Sequence, residues 1–375
     1  MPLIAADNVQ LLSALLIALA FLGFWADGHR ILKRTSGVLW VIVGGMALSN
    51  FKIVPFEAPA YDFVFSVIVP AAIPLFLFKA NIRKIVRETG KLLIIFLLGS
   101  VTVMIGSTVA FLLIDLGPLG AKVAGVYTGG WIGGAVALVA VADAVELTKT
   151  DFAAAISASS PVSVLGLITL VSIPAIGFIR RAIPTRFDTV ETESVDAKAD
   201  GPPPFRPVEI AGLLALSLSI CAVAHMIAVR FGIEHYSILV VTLISLAIAN
   251  LFPRQMERFR ADFDLGMLLM YVFFACIGMT TNALAFIDNA LPMFVFGVIV
   301  LAVHFILILG AAKLFRIDLA EAVIASAANV VGPAPAAAIA SARGWYALVT
   351  PGVMCAIFGK AIGTFIGVGV TMLLS

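Results

Sequence analysis

Apolar runs of about 17–25 residues recur twelve times along the chain, and no other feature restricts its fold as tightly. They occupy roughly 8–26, 37–56, 61–80, 91–114, 120–146, 151–179, 208–229, 236–252, 263–284, 290–312, 319–342 and 345–374. A helix rises about 1.5 Å per residue and needs about 20 apolar residues to cross roughly 30 Å of hydrocarbon. Each run is therefore a candidate membrane segment. With 62% apolar and only 12% charged residues, the chain has too few charges to cover a water-facing surface. Soluble domains are about half apolar and a quarter charged. A soluble enzyme, a nucleic-acid binder and a disordered chain are excluded. The net charge of +2, from 24 basic and 22 acidic residues, points to no acidic partner. Cys221, Cys276 and Cys355 stand singly in apolar runs, which excludes a disulfide framework and a cysteine metal site.

One hydrophilic stretch, Arg180 to Pro207, interrupts the pattern. Its charges and the Pro202-Pro203-Pro204 run suit a linker. The expected division is a first repeat at 1–180, a linker at 181–207 and a second repeat at 208–375. The halves align: Asn50 falls on Asn250 and Ala47 on Ala247 at a shift of 200, and Asn81 falls on Asn282 at 201. Gly133, Ala135 and Ala137 fall on Gly332, Ala334 and Ala336 at 199. Duplicated halves are common in secondary transporters. The first run has neither a basic leader nor a small-residue cleavage site, so it is expected to remain as a span.

Two runs contain helix breakers: Tyr127 to Gly134 (YTGGWIGG) and Ser326 to Pro335 (SAANVVGPAP). Breaks free backbone N–H and C=O groups, which survive at membrane depth only inside protein or beside a water-filled cavity. The basic residues decide whether these runs cross. If both are re-entrant hairpins, at 120–147 and 319–343, nineteen Lys and Arg residues lie on one face and four on the other: Lys52, Lys122, Lys149 and Arg230. If both cross, the division is eleven to twelve. Cytoplasmic loops are enriched in Lys and Arg. The expected fold is thus an all-α polytopic membrane protein of two inverted repeats. Each holds five transmembrane helices plus one re-entrant or broken hairpin. The linker is expected to be cytoplasmic, and both termini outside a bacterial plasma membrane.

Candidate solute- or ion-binding residues follow from the broken runs. They are Thr128, Gly129, Gly130 and Gly133, then Asn329, Gly332 and Pro333, with Ser159 and Ser160 beside Pro161 in the next span. Lys360 joins them because a lysine in mid-span costs roughly 2.5–3.5 kcal/mol and usually faces a cavity or partner. It is read either as a charge partner for a carboxylate or a proton carrier, or as a structural lysine. Isolated His225 and His304 read as satisfied core or interfacial histidines, Asp143 as a solvated or capping carboxylate, and Trp131 either as closing the tip over substrate or as filling space. No catalytic or metal-binding set is expected.

Thr128 to Asp143 and Ala327 to Trp345 resemble the two signature stretches of the YjcL-like bacterial membrane proteins, catalogued as domain of unknown function 819. More distantly, the plan of five spans plus a hairpin resembles the glutamate–sodium symporters and the 2-hydroxycarboxylate transporters. Their short GGxG motif is not matched, because Trp131-Ile132 separates Gly130 from the next glycine, so none of their binding residues is carried over. Resemblance to the broader cation–proton antiporter and anion transporter class would instead imply discontinuous helices that cross. No nucleophile elbow, metalloprotease pair or P-loop occurs. The expected function is ion-coupled transport of a small polar or anionic organic solute. No cofactor is expected beyond Na⁺ or H⁺ as coupling ion. The expected partners are solute, bilayer and, left open, a second copy in a homodimer. The alternatives are a channel or facilitator, and a non-transporting assembly protein or intramembrane enzyme.

Overall fold

The computed structural model describes residues 2–29, 37–187 and 206–375. The loop of Arg30, Lys33 and Arg34 and most of the expected linker (188–205) lie outside the described residues. Among those residues every regular element is a helix. Among the described residues nine helices are long and apolar enough to span a membrane, and Trp40–Asn50, Ser237–Leu251 and Leu319–Val330 are shorter apolar ones. The protein is an all-α polytopic membrane protein.

Fourteen helices carry the argument: α1 (Val9–Gly28), α2 (Gly37–Asn50), α3 (Pro59–Leu77), α4 (Ile82–Thr89), α5 (Lys91–Leu113), α6 (Gly120–Ala144), α7 (Lys149–Ser172), α8 (Pro207–Phe231), α9 (Ser237–Leu251), α10 (Asp262–Thr280), α11 (Ala283–Leu314), α12 (Leu319–Val330), α13 (Pro333–Ala342) and α14 (Val349–Leu374). The spans are apolar all round, as lipid-facing and buried helices must be. The short α4 is the exception: Ile85 and Thr89 are buried while Arg83 and Arg87 are exposed. Asn81 caps it, its Oδ1 accepting from Lys84 N at 3.1 Å. Such a helix suits the plane of a membrane interface.

The helices pack as two bodies. In the first, α1, α2 and α10 come together, α3 packs on α10, and α8 and α9 pack on α3 and on each other. Small residues set the spacing: a Cβ on Gly45 of α2 would stand 2.7 Å from Ala275 O of α10. Lys79 and Asp262 pair at 2.7 Å at one end of this body. The second body is α5, α6, α7, α11, α12, α13 and α14. Its tightest joint sets Gly125, Gly129 and Gly133 of α6 against Gly359, Gly363 and Gly367 of α14. A Cβ on Gly363 would lie 2.8 Å from Gly133 N, and one on Gly367 would lie 2.7 Å from Gly125 O. Small residues four apart on both partners let helix backbones touch, the usual way apolar helices associate in lipid.

The alignment of the halves reappears as shared local geometry. Asn50, closing α2, donates Nδ2 to Thr281 O at 2.9 Å and accepts from Ala283 N at 3.0 Å, bracketing the α10–α11 junction. Asn250, closing α9, donates to Ala80 O at 3.0 Å and accepts from Ile82 N at 2.8 Å, bracketing the α3–α4 junction. Positive φ recurs at matching places: Gly117 (56°) and Arg316 (54°), Gly134 (74°) and Gly332 (89°), Glu146 (52°) and Gly344 (73°). The bonds Leu147 N to Ala142 O (2.9 Å) and Trp345 N to Ala340 O (2.8 Å) close equivalent helix ends.

Because each bracket satisfies one buried donor and one acceptor of the opposite half, Asn50→Ala and Asn250→Ala should each cost about 1–3 kcal/mol. Thermal unfolding in detergent should show lowered midpoints of similar size for both. An unchanged midpoint in either would make its bracket dispensable.

Candidate functional site

At Gly134 the chain of α6 turns back on itself. Leu138 and Val141 of the second arm lie against Gly130 and Gly129 of the first, and Lys122 Nζ donates to Glu146 O at 2.9 Å across the base. Residues 120–146 therefore form a helical hairpin, hairpin 1. Gly332 does the same between α12 and α13, giving hairpin 2, both of whose arms approach Gly352 of α14 through Ile324 and Ala336. The tip backbones match: φ 74° and ψ −167° at Gly134, φ 89° and ψ −171° at Gly332. This region is open almost solely to glycine, because any Cβ strains it by about 1–3 kcal/mol.

Both tips reach one cavity of about 430 Å³. Gly130, Trp131, Gly134, Ala135 and Leu138 of hairpin 1 line it, as do Asn329, Val330, Val331, Gly332 and Pro335 of hairpin 2. α7 adds Ser159, Ser160 and Ser163, while Val38 of α2 and Phe274 of α10 close it from the first body. The cavity therefore lies where the two bodies meet. Its lining among the described residues holds no acid, base or histidine. Also among those residues, no three His, Cys, Asp or Glu side chains gather as a metal-ligand set.

Pro161 lies inside α7 and leaves it short of one backbone donor, opposite Ser157 O. Ser159 and Ser160 both donate to Ile156 O, at 2.8 and 3.1 Å, which leaves their lone pairs toward the cavity region. Ser163 accepts from Trp131 Nε1 at 3.2 Å. At the tips, the second arm of hairpin 1 begins with three residues that keep their N–H groups, Ala135, Val136 and Ala137. In hairpin 2, Pro333 and Pro335 remove two of the first three donors of α13.

Asn329 is 2% exposed and is bonded away from the cavity. Its Oδ1 accepts from Ser100 Oγ at 2.9 Å, and its Nδ2 donates to Phe96 O and Ala325 O, both at 3.1 Å. It anchors hairpin 2 to α5. Beside it His304, fully buried, lies 2.7 Å from Thr102 Oγ1 and 2.8 Å from Ser326 Oγ. Thr102 gives its own proton to Gly99 O, so it accepts from Nδ1–H, and Nε2 accepts from Ser326. That is the satisfied interior histidine expected from its isolation.

Of the residues singled out in the sequence, the cavity gathers Gly130, Ser159, Ser160, Asn329 and Gly332. The other five lie elsewhere. Thr128 is fully buried and its Oγ1 lies 2.8 Å from both Ala124 O and Ser107 Oγ. Gly129 and Gly133 belong to the glycine joint with α14. Pro333 opens α13 next to the lining Gly332. Lys360 rests between bodies, its Nζ 5.0 Å from the ring centres of Phe76 (α3) and Phe263 (α10), away from the cavity. Asp143 is exposed, near the base of hairpin 1. Gly134, Trp131, Ser163 and Phe274 also line the cavity. A shift of 198 instead of 199 would have picked Gly134 as the mate of Gly332.

Gly134→Ala and Gly332→Ala meet no neighbour within 4 Å, yet each should destabilise the protein by about 1–3 kcal/mol through φ alone. Unfolding midpoints in detergent test this. Parent-like stability in both would mean that the tips tolerate another conformation.

Two comparisons place the chain among known proteins. Residues 14–375 match the family model described as Protein of unknown function (DUF819). The chain is also similar to a Bacillus subtilis (strain 168) protein titled "Uncharacterized membrane protein YjcL", 31% identical over 384 residues, covering 97% of this chain and 96% of the relative. Hairpins, tips and cavity all fall within the matched span, and the chain belongs to the DUF819 family of membrane proteins.

Proposed function

We propose that the protein is an ion-coupled secondary transporter of a small polar or anionic organic solute, working by alternating access. The observation that carries this reading is the cavity itself: helix breaks from both halves converge on about 430 Å³ of space between two helical bodies. Freed backbone is costly in lipid and is retained where it lines a cavity. Discontinuous helices around a mid-membrane site are a recurrent transporter design. On this reading N–H groups at hairpin 1 and serine hydroxyls hold the solute, and carbonyls ending α12 hold a co-transported cation such as Na⁺. H⁺ is the other coupling ion to be tested. The two hairpins are re-entrant, the halves are inverted repeats, and the setting is a bacterial plasma membrane. The protein carries out no covalent chemistry and uses no resident cofactor; a homodimer is its proposed assembly.

Purified protein in proteoliposomes should accumulate a labelled small carboxylate or amino acid when a Na⁺ or proton gradient is imposed. Flux without accumulation would make it a facilitator, and absence of flux across the panel would favour an assembly role or intramembrane enzyme. In the transporting case the double variant Ser159→Ala, Ser160→Ala should raise KM at least tenfold while keeping the unfolding midpoint. Parent-like KM would remove the serines from the site.

Orientation has its own test. Single cysteines between 185 and 205 should be labelled only from the cytoplasmic side, and cysteines beside Met1 and Ser375 only from outside. Chain ends found on opposite faces would refute two hairpins.

A further inference from the structure

A second cavity, of about 230 Å³, lies between the same two bodies. Three helices fix its place relative to the first. On α7 the lining passes from Phe152 here to Ile156 in the first cavity, on the second arm of hairpin 1 from Ala142 to Leu138, and on α10 from Ile277 to Phe274. Each step is three or four residues, roughly one helical turn or 5–6 Å. The second cavity is therefore next to the first, on the side of the base of hairpin 1, where Asp143 and Lys149 join its lining. The proposed orientation puts that side outside.

The two cavities differ in chemistry. The first has no charged lining among the described residues, whereas the second has one acid and one base above apolar walls. Phe273 of α10 is the hub of those walls, its ring centre 5.8 Å from that of Phe65 on α3 and 5.7 Å from that of Phe152 on α7. Phe65 belongs to a π-helical turn, Val64–Ile68, a rare distortion that often marks functional sites. Lys149 Nζ lies 4.0 Å from the centre of the Phe65 ring and 4.0 Å from Asp62 Oδ1. Among the described residues no hydrogen bond or ion pair reaches the Asp143 carboxylate. Resting on the proposed transport function for its place on a route, we infer that this cavity is a recognition site for a zwitterionic amino acid with an apolar side chain. The ammonium group goes to Asp143, the carboxylate to Lys149, and the side chain lies among the phenyl rings. A site with one charge of each sign satisfies both ends of a zwitterion and leaves a simple amine or carboxylate facing one unmet charge, which is how a site rejects the wrong ligand. Asp62 is exposed, so exchanging its loose pair with Lys149 for a solute carboxylate costs little. Drug-sized ligands occupy about 300–1,000 Å³, so this smaller volume suits a solute the size of one amino acid.

The probes are L-leucine, 4-methylpentanoate, which lacks the ammonium group, and isoamylamine, which lacks the carboxylate. Binding of each to the purified full chain in detergent is measured by calorimetry near neutral pH. Leucine should bind at least about tenfold more tightly than either fragment. Asp143→Asn should erase its advantage over 4-methylpentanoate, and Lys149→Gln its advantage over isoamylamine, with ligand-free unfolding midpoints unchanged. Leucine binding that neither variant weakens overturns the site. So does a fragment that binds the parent as tightly as leucine, a comparison that needs no variant to fold, and so does a parent that binds none of leucine, valine and methionine. The measurement requires no flux. Leucine binding with these losses, in a protein that moves no solute in proteoliposomes, would keep the site and count against the transporter. Flux of another solute without amino-acid binding would count against the site alone.

Discussion

An unpaired peptide group has nowhere to go in hydrocarbon, and this one fact orders the structure. A helix may stop inside a membrane only if other protein or a cavity receives the donors and acceptors that it releases. The chain interrupts helices at Gly134 and Gly332, inside protein and beside a cavity. It places both stops face to face within the second body, where serines, Asn329 and the opposite tip surround them. The rest of the fold supports that arrangement. The glycine joint fixes hairpin 1, the Ser100–Asn329 bond anchors hairpin 2, and the first body contributes a wall.

Lys360 shows that a correct physical premise need not name a place. A mid-span lysine does need a special environment. The premise does not say which environment, and aromatic faces serve as well as a binding site. The rings of Phe76 and Phe263 come from helices about 285 and 100 residues away in sequence, so no local pattern around the lysine announces them. A cation over an aromatic ring is worth about 2 kcal/mol when desolvated, enough to offset much of the insertion cost.

Periodicity and breakers were legible because they act locally. Twelve apolar runs became helices at nearly the expected bounds, and Asn50 and Asn250 stood out because an amide closing an apolar helix has few other uses. Which glycine forms each tip was not legible in the same way. Gly133 and Gly134 are identical letters, and only the packing of one against α14 and the φ of the other assigns their roles. The amphipathic α4 escaped the apolar scan because half of its surface is basic.

The asparagine brackets also bear on how the chain is made. The peptide groups at Ala80 and Ile82 are held by Asn250, which is synthesised some 170 residues later. Those at Thr281 and Ala283 are held by Asn50, which has by then long been waiting. The dependence runs both ways, yet synthesis runs one way. The early half must enter the membrane with its α3–α4 corner unfinished, while the late half finds its clasp already in place. A protein assembled from two similar halves is thus unequal in time: one half is a template, and the other completes it.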